Sequence, residues 1–211
     1  MDDPFAITFS TLLLISGFSC ALICYGLSQS SRFLGNYGSD YTNGLQKFHH
    51  GKVLRIGGVA VFLSLHLIWF LSEPALSDLM GTLLVSAYPV ALVGFEEDFT
   101  GRVSARRRLL AAFVGALITC YLTDVRITSI GIPLFDDLLK ISAISYVFTA
   151  FAVSGIVNAI NIIDGFNGLA ASVVLTTCLV FSGLAFMSGN SNLMMLCWAI
   201  AAVTSGFLLV N

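Results

Sequence analysis

The chain has 211 residues, of which 57% are hydrophobic and only 10% are charged, and its formal net charge is −2. An average soluble domain has about 25% charged residues, so this composition excludes an ordinary soluble domain and indicates an integral membrane protein.

Several apolar stretches have the length that a membrane-spanning helix needs. A span takes about 20 mainly apolar residues, because the bilayer core offers no water to backbone N–H and C=O groups. The first five predicted helices occupy residues 5–27, 56–72, 79–95, 109–123 and 141–163. The uncharged stretch 165–211 is long enough for two more, divided by the polar residues 188–192. The sequence therefore predicts an all-α, polytopic bundle of about seven transmembrane helices.

The short loops between these helices differ in their content of lysine and arginine, which are enriched in cytoplasmic loops. If the N-terminus lies outside, the loops after the first, third and fifth helices are cytoplasmic. These loops then hold Arg32, Lys47, Lys52, Arg55, Arg102, Arg106, Arg107 and Arg108. The opposite side holds only Arg126 and Lys140. This asymmetry predicts an outside N-terminus.

The longest outer segment, residues 124–140, includes a weak alternation of apolar and polar residues over 125–133. Alternation with a period of two is typical of a β-strand, because successive side chains point to opposite faces. We therefore expect that a short outer β-hairpin can form here.

The first cytoplasmic loop ends in a cationic stretch that runs into two glycines at the start of a helix. Residues 46–58 read QKFHHGKVLRIGG. Glycines allow close approach to the backbone, and a helix N-terminus favours anions. One interpretation is a phosphate site with Lys52 and Arg55 as counter-charges. The other is an ordinary positively charged cytoplasmic loop.

Three adjacent carboxylates stand at the end of the third helix, where residues 94–102 read GFEEDFTGR, and three arginines follow at 106–108. Adjacent carboxylates repel one another, so the arginines, a divalent metal or water must offset their charge. Mg²⁺ binds carboxylate oxygens together with substrate phosphates, which makes the cluster suitable for a metal–diphosphate site. A solvated loop of mixed charge is the alternative.

Polar residues also interrupt apolar sequence at residues 158–169, which read NAINIIDGFNGL. Asn158 and Asn161 are three residues apart and share one helical face, and Asp164 follows three further on. Polar and ionisable groups at membrane depth are costly unless they line a polar site, so this segment indicates function. A simple helix break between two spans is the alternative.

In this order and on one side of the membrane, the three segments resemble those of the polyprenyl-phosphate N-acetylhexosamine-1-phosphate transferases, to which phospho-N-acetylmuramoyl-pentapeptide transferase is related. Residues 49–58 are similar to the family's His…Arg-Ile-Gly-Gly, residues 94–98 to Gly-x-x-Asp-Asp, and residues 158–169 to Asn-Ala-x-Asn-x-x-Asp-Gly-x-Asp-Gly-Leu. The third segment is the most specific, and the resemblance covers about residues 5–211. Glu97 and Asn167 stand where the family usually has aspartate, and Leu54 replaces a common proline.

The resemblance implies transfer of a sugar-1-phosphate from a UDP-sugar to undecaprenyl phosphate, with release of UMP, as the first step of a lipid-linked cell-surface glycan. Both reacting phosphates are anions, so Mg²⁺, or Mn²⁺ in its place, and fixed cations are needed to bring them together. The resemblance assigns catalysis to Glu97, Asp98 and Asp164, and metal binding to Asp98 and Asp164. It assigns substrate binding to His49, Lys52, Arg55, Asn158, Asn161 and Asn167. Either the lipid phosphate attacks directly, or a carboxylate attacks first and forms a covalent intermediate.

The expected setting is the bacterial cytoplasmic membrane, with the active site facing the cytoplasm. The expected partners are the UDP-sugar, undecaprenyl phosphate and the bilayer, with a homodimer left open and no nucleic acid. Family members have about ten or eleven spans. The chain is therefore expected to be a single transmembrane domain, the N-terminal two-thirds of a longer transferase. Two alternatives stand beside this reading: an inactive or split fragment of such an enzyme, and a small transporter that uses Asp164 and the asparagines as an ion site.

Overall fold

The computed structural model of the protein describes residues 9–34, 39–40, 53–54, 57–163 and 168–210. Within these ranges the helices are α1 Phe9–Leu34, α2 Gly57–Leu71, α3 Pro74–Thr100, α4 Ala105–Thr123, α5 Pro133–Leu139, α6 Ser142–Ile163, α7 Leu169–Met187 and α8 Ser191–Leu208. Two short strands, β1 Ser39–Asp40 and β2 Val53–Leu54, pair antiparallel between α1 and α2.

All seven predicted helices form, and the structure has one further short helix, α5, that the sequence did not predict. Among the residues that the structure describes, five helices are long and apolar enough to cross a membrane: α1, α3, α6, α7 and α8. The apolar helix α2 has only 15 residues, and α4 carries three arginines in its first turn. The prediction of an all-α, polytopic membrane protein is therefore confirmed, whereas the number of seven spans is not.

The predicted outer β-hairpin does not form, and residues 124–132 instead follow an irregular path into α5. The backbone groups of this segment bond to side chains rather than to a second strand. The N–H of Ile127 donates to Oγ1 of Thr149 at 2.8 Å, and the hydroxyl of Ser145 donates to the carbonyl of Ile127 at 2.6 Å. The N–H of Ile130 donates to a carboxylate of α5 at 2.7 Å. These bonds satisfy groups that a hairpin would have paired, which is why no hairpin is needed.

The helices form two compact units, Met1–Gly81 together with Ile163–Asn211, and Thr82–Ile162. In the first unit, α8 packs against α1, α2 and α7, and α1 also packs against α2. The second unit consists of most of α3 together with α4, α5 and α6.

In the first unit, two glycines allow α1 and α8 to cross closely. A Cβ atom added at Gly206 would collide with the carbonyl oxygen of Gly17, and one added at Gly17 would lie 3.0 Å from the carbonyl oxygen of Ala202. Small residues at such crossings let helix backbones approach and gain van der Waals contact, which is the main attraction between helices in lipid. The contact therefore depends on glycine at both positions.

We expect Gly206→Ala to lower the free energy of unfolding by about 1–3 kcal/mol, because the new methyl group must push two helices apart. Gly183→Ala in α7 is the matched control, since a Cβ there has no heavy atom within 4 Å. The control should leave stability unchanged or raise it by up to about 1 kcal/mol, because alanine favours the helix. Titration with SDS in mixed micelles measures both values, and equal effects would contradict the close crossing.

Candidate functional site

In the second unit, a tight turn joins α3 to α4. Gly101 has a φ of 63°, a left-handed conformation that suits glycine, and its N–H donates to the carbonyl of Glu97 at 2.7 Å. Ser104 caps α4 by accepting the N–H of Arg107 on its hydroxyl oxygen at 3.4 Å. The turn sends α4 back along α3, and the end of one helix therefore faces the start of the other.

Farther from the turn, Gly115 allows the two helices to pack closely. A Cβ atom at Gly115 of α4 would lie 2.5 Å from the carbonyl oxygen of Ser86 in α3. Ala111, Ala112 and Ala116 are buried on the same stretch of α4. These small side chains let the backbones run side by side.

Two ion pairs join the carboxylates of α3 to the arginines of α4. Arg107 donates two hydrogen bonds of 2.8 Å to the two carboxylate oxygens of Glu96. Arg108 donates to Glu97 at 2.5 Å. The side chains of Arg107 and Glu96 are 56% and 40% exposed, whereas those of Arg108 and Glu97 are 29% and 22% exposed. The sequence left three partners open for the acidic cluster, namely arginine, a divalent metal or water. In the structure, Glu96 and Glu97 pair with arginine.

A cavity of about 70 Å³ lies at this end of the unit between α3, α4 and α6. Most of its wall is apolar and includes Val90, Val93 and Val157. Its polar lining consists of Glu97, Arg108, Asn158 and Asn161. Convergent polar groups in an apolar wall are typical of small-molecule sites, although this volume is well below the roughly 300–1,000 Å³ that is usual for a whole ligand.

Arg108 has an unsatisfied donor in this setting. Its Nε–H group is buried and has no hydrogen-bond partner, the one such side-chain atom found in the described part of the chain. A buried donor without a partner costs about 1–3 kcal/mol, so an acceptor bound there would be favoured. The planar guanidinium is also suited to two-pronged binding of phosphate. With the two asparagine amides, the cavity can hold an anionic oxygen.

The cavity brings together three residues that the sequence indicated in two separate segments, Glu97, Asn158 and Asn161. Asp98 follows Glu97 on α3, is half-buried and is not among the residues that line the cavity. The remaining predicted residues lie outside the part of the chain that the structure describes, and their roles stay predictions: His49, Lys52, Arg55, Asp164 and Asn167.

The charge pattern alone does not distinguish Arg108, because residues 106–108 form one run of positive charge. A signal was present in the helical spacing. Arg108 lies three and four residues before Ala111 and Ala112, which are buried, so it falls on the same face of α4. Arg106 and Arg107 fall on other faces and are exposed. Small residues at that spacing distinguish the arginine that points inward.

Comparison with known proteins agrees with the family resemblance seen in the sequence motifs. The family model for glycosyl transferase family 4 matches residues 80–211. A probable undecaprenyl-phosphate N-acetylglucosaminyl 1-phosphate transferase of Bacillus subtilis is 27% identical over 77% of this chain and 45% of its own length. A phospho-N-acetylmuramoyl-pentapeptide-transferase of Clostridium perfringens is 26% identical over 74% of this chain and 52% of its own length.

A third relative, the undecaprenyl-phosphate α-N-acetylglucosaminyl 1-phosphate transferase of Salmonella typhi, is 24% identical over 79% of this chain and 45% of its own length. The chain therefore spans about half the length of the curated relatives that it matches. No solved structure matches it.

The two ion pairs of the α3–α4 turn should differ in strength, and double-mutant cycles test this. We expect a coupling free energy of about 1–3 kcal/mol between Glu97 and Arg108, from Glu97→Gln and Arg108→Gln, because partial burial weakens solvent screening. The more exposed pair of Glu96 and Arg107, changed in the same way, should give less than about 1 kcal/mol. Unfolding by SDS supplies the four free energies of each cycle. Equal couplings would contradict the different environments of the pairs.

Proposed function

This chain belongs to glycosyl transferase family 4, as the match over residues 80–211 shows, and on that basis we propose that it forms part of a transferase that moves an N-acetylhexosamine-1-phosphate from a UDP-sugar to undecaprenyl phosphate. The names of its Bacillus and Salmonella relatives support the lipid acceptor and the sugar phosphate. The proposed product begins a lipid-linked glycan of the bacterial cell surface, and the proposed setting is the cytoplasmic face of the inner membrane.

The observation that carries this proposal is the cavity of Glu97, Arg108, Asn158 and Asn161. A transferase that joins two phosphates must hold negative charge beside apolar helices, where charge is costly. The cavity supplies a guanidinium that one carboxylate holds in place and that retains a buried, unpaired N–H group. That group is the type of donor that an incoming phosphate oxygen would satisfy.

In the proposed reaction, an oxygen of the lipid phosphate attacks the phosphorus atom that bears the sugar. The bond between that phosphorus and the oxygen that bridges it to the nucleotide breaks, and UMP leaves with the bridging oxygen. Charge that develops on the transferred group is stabilised by donors fixed in advance, which is where Arg108 acts. Glu97 is then a positioning residue, because its contact is with Arg108.

The remaining roles are assigned by residue type and position. Asp98, next to Glu97 on α3, would orient the lipid phosphate or take up its residual proton. The amide groups of Asn158 and Asn161 would donate hydrogen bonds to the nucleotide end of the donor, and Asp164 is proposed to share in holding that end or the metal. Direct attack and a covalent route through a carboxylate differ in one product, since only the covalent route leaves labelled sugar phosphate on the protein.

Magnesium is part of the proposal, with manganese as the alternative. Carboxylate and amide oxygens, which α3 and α6 bring to this end of the unit, are the ligands that hard cations prefer, so the available donors fit in kind. Among the residues that the structure describes, no three His, Cys, Asp or Glu side chains converge to hold a metal. The proposed ligands are Asp98 and Asp164, the latter from outside the described ranges. When bound, the ion would neutralise part of the diphosphate charge.

We expect Asp98→Asn in the full-length protein to abolish release of UMP, because the amide keeps the shape of the carboxylate but can neither take up a proton nor carry charge. Asp137→Asn is the matched control, since Asp137 is 70% exposed on α5 and pairs with Lys140. Release of UMP from a UDP-sugar, measured in membranes with added undecaprenyl phosphate, should be unchanged in the control. Near-normal turnover by Asp98→Asn would refute its assigned role.

Arg108→Gln should lower turnover by about 100-fold or more, the usual effect of losing one fixed donor to a developing charge. Arg107→Gln removes the same charge from the neighbouring position, whose side chain is 56% exposed, and should change turnover by less than about threefold. The same assay of UMP release compares the two variants. Equal losses would mean that general positive charge, rather than the cavity, explains the effect.

A further inference from the structure

The segment between α4 and α6, residues 124–141, exposes more apolar surface than a water-facing loop should. Leu134 is 73% exposed, and Phe135 and Leu138 are 49% and 45% exposed. Val125 and Ile132 are 69% and 49% exposed. These side chains come from a stretch that also carries five charged residues, so the segment is amphipathic rather than simply apolar.

The segment is held in place by hydrogen bonds. The phenol of Tyr146 donates to Asp124 at 2.7 Å, and Arg126 pairs with the same carboxylate while its guanidinium lies 5.0 Å from the centre of the Tyr146 ring. Asp136 accepts the N–H of Ile130 and the hydroxyl of Ser129 at 2.9 Å. The bond from Ile130 is the main cause that lowers the pKa of Asp136. The exposed apolar side chains therefore belong to a fixed surface.

Around α5, three classes of side chain occupy three separate sectors. At about 100° per residue, Leu134, Phe135 and Leu138 fall within one sector of about 100°. The charged side chains fall within an opposite sector of similar width: Asp136, Asp137 and Lys140. Between the two sectors, Leu139 is buried, and it marks the side that faces the protein. One side of α5 thus meets protein, one side is apolar and exposed, and one side is charged.

The segment leads directly into a helix that could cross a membrane. α6, which begins at Ser142, is one of the five helices that are long and apolar enough to span. On the other side, Tyr121 in the last turn of α4 is 80% exposed. Tyrosine is enriched where a membrane meets water, because it has an apolar ring and a polar hydroxyl. An amphipathic helix at that level has lipid on one side and water on the other.

We propose that residues 124–141 are a membrane-surface element, with Leu134, Phe135 and Leu138 inserted between the headgroups and the acyl chains of the bilayer that α6 crosses. The occupant of this surface is lipid, because the apolar and charged sectors lie on opposite sides of a helix whose third side is already covered by protein.

The charges of the segment also indicate the headgroup charge of the lipid that it contacts. Asp124, Asp136 and Asp137 outnumber Arg126 and Lys140, and both basic side chains are paired with carboxylates of the segment itself. Attraction to an anionic surface requires basic residues that are available to it. The proposed binding therefore rests on apolar insertion and needs only zwitterionic lipid. It is independent of the proposed transferase reaction.

Tryptophan placed on each side of α5 tests the proposal in reconstituted vesicles. Leu134→Trp adds a probe to the apolar sector, and Asp137→Trp adds one to the charged sector; the parent chain, with Trp69 and Trp198, supplies the background emission. Phosphatidylcholine brominated near the headgroup end of its acyl chains should quench the added emission of Leu134→Trp by about half or more, because the inserted ring lies at that depth. Acrylamide in the water should quench Asp137→Trp instead.

The outcomes separate lipid from its rivals. Acrylamide could quench the added emission of Leu134→Trp as strongly as that of Asp137→Trp. That result would mean that the apolar sector faces water. Protection from both quenchers would mean that protein, such as a second copy, covers it. Either result overturns the proposal. Leu138→Trp repeats the test on the same sector in case Leu134→Trp fails to fold, and replacing part of the lipid by an anionic one should leave the quenching unchanged.

Discussion

The absence of water from the bilayer core is the constraint on which this fold depends. Each backbone N–H and C=O group at that depth needs a partner within the protein, and a helix supplies that partner locally. The five candidate spans are accordingly uninterrupted helices of 18 to 27 residues. Irregular backbone in the described part of the chain is confined to short connections, where side chains such as Thr149 and Ser104 complete the hydrogen bonding. Polar chemistry is therefore concentrated at helix ends.

The same constraint explains the construction of the candidate site. A guanidinium beside valine and alanine side chains would be costly alone, and the carboxylate of Glu97 offsets its charge. The opposite charges of the pair cancel, and one buried donor of Arg108, at Nε, is left without a hydrogen-bond partner.

Much of this arrangement could be predicted from the sequence, because long apolar stretches and clustered polar motifs are strong signals. The apolar stretches predict the helices in the right order, and the polar motifs indicate Glu97, Asn158 and Asn161, which share a cavity in the structure. The path of residues 124–132 was predicted wrongly, because weak alternation cannot reveal that Thr149 and Ser145, far along the chain, take the place of a second strand. Arg108 was overlooked for a related reason. Its importance comes from which face of α4 packs inward, a property of tertiary contact rather than of charge.

The turn between α3 and α4 has an evolutionary consequence. Ser104 defines where α4 begins, and the three residues between it and Arg108 determine the direction in which that side chain leaves the helix. One inserted residue between them would rotate Arg108 by about 100° around the axis. Sequence drift in this stretch should therefore preserve its length far more strictly than the identity of its exposed residues, and related chains should show substitutions here but no gaps.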